Sequence, residues 1–430
     1  MRRLQSADPR MVKPLAVTSV PCPVAIVFAV AVSLFCMQPI APEIRQIPLQ
    51  IFLIALVFLW YLLTRLSVLL YACTSIGPVQ WTGIMALIGT RTLRLATDDA
   101  EILFLFQLLT GVIIALIGYL TWRNHRARLI VLRLFSVVIA ISAVVAILQY
   151  VTPFTSLWSW TTYRGVGYVY GSAGLESNPV SFAYSVVGMA AVVIGAAIVW
   201  YRYSIRLMPF RPLTLIALCF AVAGALMAAN SRSGMLGLAV AAFWVACGRI
   251  ELFSNRRNKM AFRAAVVVGI AVLIHFADSA REKGVFEDAR ITATWSAYLP
   301  VIVNNPVGLP LASSMLEAIS NANAEADERM KGKDGRIISP HNLLLSCGLS
   351  YGPFGSLGLI LIYASAFVRG LRALRLFRRD HRSVDAAWVL VLMAANAAVL
   401  SHCWFHNASI ALGEMRNWLW LGFLAGASRP

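Results

Sequence analysis

Charge is what this chain has least of. Only 13% of its 430 residues are Asp, Glu, Lys or Arg, roughly half the share of a soluble domain, and acidic residues are scarcest, 19 against 37 Lys+Arg. That excludes an ordinary water-soluble globular fold. The seven cysteines (22, 36, 73, 219, 247, 347, 403) lie in or beside apolar runs with no CxxC pair, which excludes a disulfide framework or a zinc ribbon. The one long polar interval, 278–341, holds no P-loop, HExxH or DxD-like cluster, so nucleotide hydrolysis and metal-dependent transfer have no support. No fixed-period repeat relates the two halves, which weakens the case for a transporter built from repeats.

What is present is apolar residues in long blocks, 59% of the chain. A helix needs ~20 such residues to cross ~30 Å of hydrocarbon, and runs of that length recur throughout. They are continuous rather than alternating, which argues against a β-barrel. The class is therefore an all-α polytopic membrane protein, a single integral membrane domain over 1–430. The net charge of +18 raises nucleic acid as a partner. Its placement excludes that reading, because Lys and Arg gather in alternate short connections, as the positive-inside rule expects of cytoplasmic loops.

In chain order, the basic N-terminus precedes a span at 22–41, read as retained rather than a cleaved signal, and a second at 48–64. The stretch 66–90, interrupted by Gly77-Pro78, is taken as a third span because Arg91, Arg94, Asp98 and Asp99 then form an outer turn. Further spans fall at about 100–121, 130–151, 179–201, 213–230, 235–249, 264–277, 353–370, 386–402 and 407–425. The basic connections 122–128, 201–211, 249–263 and 369–382 all lie on one side. About twelve transmembrane helices result, with both termini cytoplasmic and one long outer loop, 278–341, between helices nine and ten. After His341 the segment NLLLSCGLSYGPFG is broken by Gly and Pro, so a short helix or re-entrant turn precedes span ten.

Three basic residues fall on the outer side: Arg232 between spans seven and eight, Arg290 in the long loop, and His341 at its end. Arg232 admits two readings. It snorkels to headgroups, or it faces inward, where its planar fork of donors suits phosphate oxygens. His341 likewise is either a structural residue at a helix start or a base, its near-neutral pKa suiting proton transfer. Arg164, Glu176 and Arg416 are further charged residues on or near outer segments, and Arg416 divides evenly between function and packing.

Other patterns carry less. Gly348-Leu349-Ser350-Tyr351-Gly352 matches G-x-S-x-G, which needs a strand–turn–helix and here enters a membrane segment. Gly165, Gly167 and Gly171 fall one residue off a dinucleotide fingerprint. His402 and His406 are four apart with no acidic partner beside them, which is poor support for a metal.

Taken together, NSRSG (230–234) at the outer end of a span, Arg290 followed by Trp295 and Asn305-Pro306-x-Gly308, and His341-Asn342 with Gly348, Gly352 and Gly355 resemble the O-antigen ligase family. That superfamily includes O-antigen and exopolysaccharide polymerases. YRGVGYVYGSAGLESNP (163–179) also resembles the family's outer segment, so the likeness runs from about 160 to 425. One departure stands out: Gly308-Leu309-Pro310 replaces the family's Gly-x-Gly, which puts the local backbone in question.

The resemblance implies a GT-C-like glycosyltransferase of the bacterial inner membrane, its site facing the periplasm and working in lipopolysaccharide biosynthesis. The donor would be a glycan on undecaprenyl pyrophosphate, and the acceptor lipid A–core or a growing glycan. It implies no cofactor and no metal. Carried over by motif, Arg232 and Arg290 would bind the donor pyrophosphate. His341 would orient or deprotonate the acceptor hydroxyl, with inversion at the anomeric carbon; Asn342, Arg164, Glu176 and Arg416 would support them. A polymerase shares these motifs; a protein O-oligosaccharyltransferase and a polysaccharide transporter are the remaining alternatives.

The polar, Gly-containing segment 321–337 is expected to act as a flap over the acceptor entrance. Its deletion should lower transfer while leaving the protein level in the membrane unchanged; full activity after deletion removes that role.

Overall fold

The computed structural model describes residues 22–34, 46–95, 101–151, 162–164, 170–172, 174, 179–203, 212–229, 231–247, 260, 264, 267–268, 289–309, 342–404 and 415–429. Its helices are α1 (Cys22–Leu34), α2 (Gln46–Thr64), α3 (Leu66–Ser75), α4 (Pro78–Leu95), α5 (Glu101–Arg123) and α6 (His125–Val151). After a two-stranded ribbon, β1 (Thr162–Arg164) and β2 (Tyr170–Ser172), come α7 (Pro179–Tyr203), α8 (Pro212–Ala228) and α9 (Arg232–Cys247). Then follow α10 (Ala289–Asn304), α11 (Leu343–Arg379), α12 (Ser383–Trp404) and α13 (Met415–Ala427).

Among these residues, five helices are long and apolar enough to cross a bilayer: α5, α6, α7, α11 and α12. A sixth crossing results if α2 and α3, bent by 110°, are counted as one. Shorter apolar stretches occupy α8 and α9. The outward faces are as apolar as the interior: Leu63 and Phe220 are each 75% exposed. Such faces suit lipid, in which every backbone group must be paired internally. The chain is a multi-pass, helical membrane protein. Span nine, at 264–277, lies outside the described residues apart from single helical positions, as do the N-terminal segment and the flap segment 321–337.

Two expectations change. The stretch 66–90 is not one span, because Gly77-Pro78 divides it into α3 and α4. Proline lacks the N–H that a helix interior needs and is tolerated only in a first turn, so α4 starts there. The turn drawn at Arg91 and Arg94 is instead the end of α4. The aromatic, Gly-rich outer loop also departs from pure helix, pairing Tyr163 with Gly171 in the antiparallel ribbon.

The centre of the bundle is α12, buried along most of its length from Ala386 to Val399. A helix apolar on every side belongs inside. Lipid gives helices little hydrophobic reason to associate, so close contact comes through small residues. Gly111 of α5 lies under the Trp418 ring, and Gly422 and Gly426 of α13 face the carbonyls of Ala115 and Tyr119. Gly83 of α4 and Gly358 of α11 likewise face each other's backbone.

At one end of the bundle, Arg369 donates to the Ser75 carbonyl (2.7 Å), Arg123 to that of Arg429 (2.9 Å), and Arg382 pairs with Asp385 (2.9 Å). At the other end the starts of α7, α9, α11 and α13 meet the ends of α4 and α12.

Gly422→Val should lower the Tm of the solubilised protein by an amount reflecting about 1–3 kcal/mol of overpacking against Ala115. An unchanged Tm would separate α5 from α13 at this contact.

Candidate active site at one end of the bundle

The site end is built around a break in α11. Gly352 adopts φ 70°, ψ −173° inside the helix, and Pro353 follows it. In a regular helix the Leu349 carbonyl would accept from residue 353, which is a proline and has no N–H. The Leu309 amide donates to it instead, at 2.7 Å. One residue on, the buried guanidinium of Arg91 donates to the Ser350 carbonyl and lies 4.2 Å from the Tyr351 ring centroid.

Leu309 arrives there because Asn305-Pro306-Val307-Gly308 is a turn closing α10. The Gly308 amide donates to the Asn305 carbonyl (2.9 Å), and the Asn305 side chain donates to that of Val301 (2.7 Å). Gly308 has φ +82°, and a Cβ there would collide with the Ser350 carbonyl, so glycine is required. Arg94 donates to the Gly308 carbonyl. The missing second glycine at Leu309 is thus accommodated, because that position supplies only an N–H and a buried side chain. Ser350, the centre of the G-x-S-x-G pattern, is fully buried on a helix and makes no nucleophile elbow.

Asn342 caps α11, accepting from the amides of Leu344 (2.9 Å) and Leu345 (3.2 Å). Its Nδ2 donates to the Trp404 carbonyl (3.4 Å), tying the start of α11 to the end of α12. Beside this junction is a buried polar group. Arg416 donates to Ser185 Oγ, and its guanidinium stands 4.5 Å over the Tyr184 ring. His402 is fully buried, with its ring 5.7 Å from that of Tyr184. Ionisable groups inside a membrane bundle mark function by default.

Of the sequence candidates, Arg232 is the first residue of α9 and Arg290 the second of α10. Ser231, just before Arg232, accepts the Gly234 amide on its Oγ (3.3 Å). Arg164 ends β1, and Arg416 is buried as above. His341 and Glu176 lie outside the described residues, as does His406. Sequence reasoning missed Arg91 and Arg94. Their spacing of three along a comparatively polar helix was the available signal, since it puts both on one face.

Residues 217–360 match the family model described as O-antigen ligase. Over these residues, about a third of the chain, it is similar to the O-antigen ligase family. No curated protein matches the chain. The match supports a glycosyl-transfer function of ligase or polymerase type. The matched segment contains Arg232, Arg290, the 305–308 turn, His341, Asn342 and the Gly352 break. Arg91, Arg94, Tyr184, His402 and Arg416 reach the same end of the bundle from outside it.

Asn342→Ala should destabilise the start of α11 by about 1 kcal/mol, and Asn342→Ser should largely restore it, because the hydroxyl still caps. Thermal unfolding checks this; equal Tm values for wild type and the Ala variant would remove the capping role.

Proposed function

We propose that this protein transfers a glycan from undecaprenyl pyrophosphate to lipid A–core at the periplasmic face of the inner membrane. The observation carrying the reading is the match over 217–360, two of whose arginines stand at helix starts. Arg232 opens α9, Arg290 is second in α10, and His341 is two residues before the first helical residue of α11. The helix dipole disfavours a cation at an N-terminus unless an anion joins it, by about 0.3–1 kcal/mol. Backbone N–H groups and guanidinium donors at one place make an anion site.

The chemistry follows from those groups. The acceptor hydroxyl oxygen attacks the anomeric carbon while the bond from that carbon to the pyrophosphate oxygen breaks on the opposite face, inverting the configuration. The hydroxyl proton passes to His341. Charge growing on the departing pyrophosphate is met by Arg232 and Arg290, which takes the part a metal cation plays elsewhere. Both substrates are amphiphiles, so a site at the bilayer edge lets each keep its lipid in the membrane. Arg416, Arg164, Glu176 and Asn342 support this arrangement.

The test uses a deletion strain, with surface polysaccharide run on a gel and lipid carriers extracted. Long chains stranded on undecaprenyl pyrophosphate beside bare lipid A–core establish the ligase. Single repeat units in place of chains mean a polymerase, and unchanged glycans overturn both, leaving a protein transferase or a transporter. In the ligase case His341→Ala should reproduce the deletion, with transfer down about 10²–10⁴-fold. Arg232→Ala and Arg290→Ala should abolish transfer at unchanged membrane protein level; retained activity in either dissociates that arginine from the donor.

A further inference from the structure

The joint between α10 and α11 is pinned to a third helix. Arg91 and Arg94 lie one turn apart on α4, more than 200 positions away in sequence, with separations of 259 and 214 residues from their carbonyl partners. One takes the Ser350 carbonyl beside the break in α11, and the other takes the Gly308 carbonyl in the turn that ends α10. We propose that Arg91 and Arg94 are positioning residues of glycosyl transfer. They fix α10, which carries Arg290, in register with the start of α11, which is entered from His341. This rests on the ligase-or-polymerase reading above.

Three observations carry it. First, the joint depends on few backbone hydrogen bonds among the described residues. Among these residues, its one backbone hydrogen bond is the Leu309 amide on the Leu349 carbonyl, and Pro353 removes the ladder bond that would stiffen α11 there. Second, α10 and its closing turn are seated directly on α11: Gly348 faces Ile302 of α10, and Gly352 faces the Pro306 carbonyl of the turn. Third, the lever is long. Arg290 precedes Asn304 by fourteen residues, a rise of ~21 Å at 1.5 Å per residue. A swing of about 5° at the joint moves the helix start by roughly 2 Å, and misplacement of ~1 Å can lower a rate about 10²-fold.

The means of attachment supports the role. A carbonyl needs only a neutral donor, yet Arg91 is an arginine with no exposed surface, stacked on Tyr351. A planar fork held against a ring fixes direction as well as distance, which a flexible ammonium or a hydroxyl does not.

The experiment uses the full chain in lipid nanodiscs, assayed in whichever reaction, ligation or polymerisation, the wild type performs. Arg94→Ala should lower kcat by about 10²-fold with donor KM changed by less than about threefold. Arg94→Lys, which keeps the charge and one donor, should fall between. Gly308→Ala attacks the same contact from the other side, and combining it with Arg94→Ala should add little to either alone.

Arg91→Ala is the harsher variant, and Arg94, which is only partly buried, keeps the test open if that protein fails to fold. A second readout needs no substrate: spin labels at Leu299→Cys on α10 and Leu357→Cys on α11, both exposed positions, with native cysteines replaced. The distance distribution should broaden in Arg94→Ala and recover partly in Arg94→Lys. An unchanged distribution overturns the proposal whatever the kinetics, and so does a loss confined to donor KM, which would make Arg94 a substrate contact. If the wild type transfers nothing, the ligase reading fails, while the distances still decide whether α4 sets the joint.

Discussion

A backbone carbonyl without a partner is costly anywhere in a protein and most costly where there is no water to take its place. The break at Gly352-Pro353 creates that situation within a helix that otherwise runs from Leu343 to Arg379. Its resolution brings together much of what is distinctive at this end of the molecule. The Leu309 amide meets one carbonyl and Arg91 the next, and the turn that delivers Leu309 is held by Arg94. An element of the long polar loop is thereby docked onto the membrane bundle. A straight α11 would have no carbonyl to offer it.

The same logic gives each residue of the Asn305–Gly308 turn a separate task. Asn305 closes α10 through its side chain, Pro306 sets the turn, and Gly308 takes a positive φ where a side chain would strike Ser350. None of these is a chemical group of the reaction. They are the reason a loop can carry one with fixed geometry. Asn342 does comparable work at the other end of the short helix, capping α11 and reaching to α12.

Much of the helical framework was legible because long apolar runs have few alternatives in a bilayer. Helices α5 through α9 and α12 begin and end within a few residues of where hydropathy and basic connections put them. The division after His341 was also readable, since Gly352 and Pro353 are adjacent. What misled was the low hydropathy of 78–95: a helix lined with Thr, Gln and Arg reads as a turn until its partners are known. Those partners, the carbonyls of Gly308 and Ser350, are backbone atoms and leave no trace in residue type. The ribbon at 162–172 was hidden by its aromatic and glycine content. The glycines of α5 and α13 gave no warning of which helices they join, because a small residue records that something approaches and not what. Arg232 and Arg290 were singled out for charge and location, and only the fold adds that both stand at helix starts; His341 and Glu176 lie outside the described residues.

The reach of α4 also bears on how such a protein can change over time. The family-matched segment holds the candidate chemistry, yet two of its carbonyls are satisfied from a helix encoded far upstream, and its Asn342 leans on the end of α12. Exchange of that segment alone between distant relatives would bring in a turn and a broken helix cut to fit another protein's arginines. Recombination should therefore be tolerated where the breakpoints carry α4 along, and inheritance of the segment should be tied to a helix that shares none of its sequence motif.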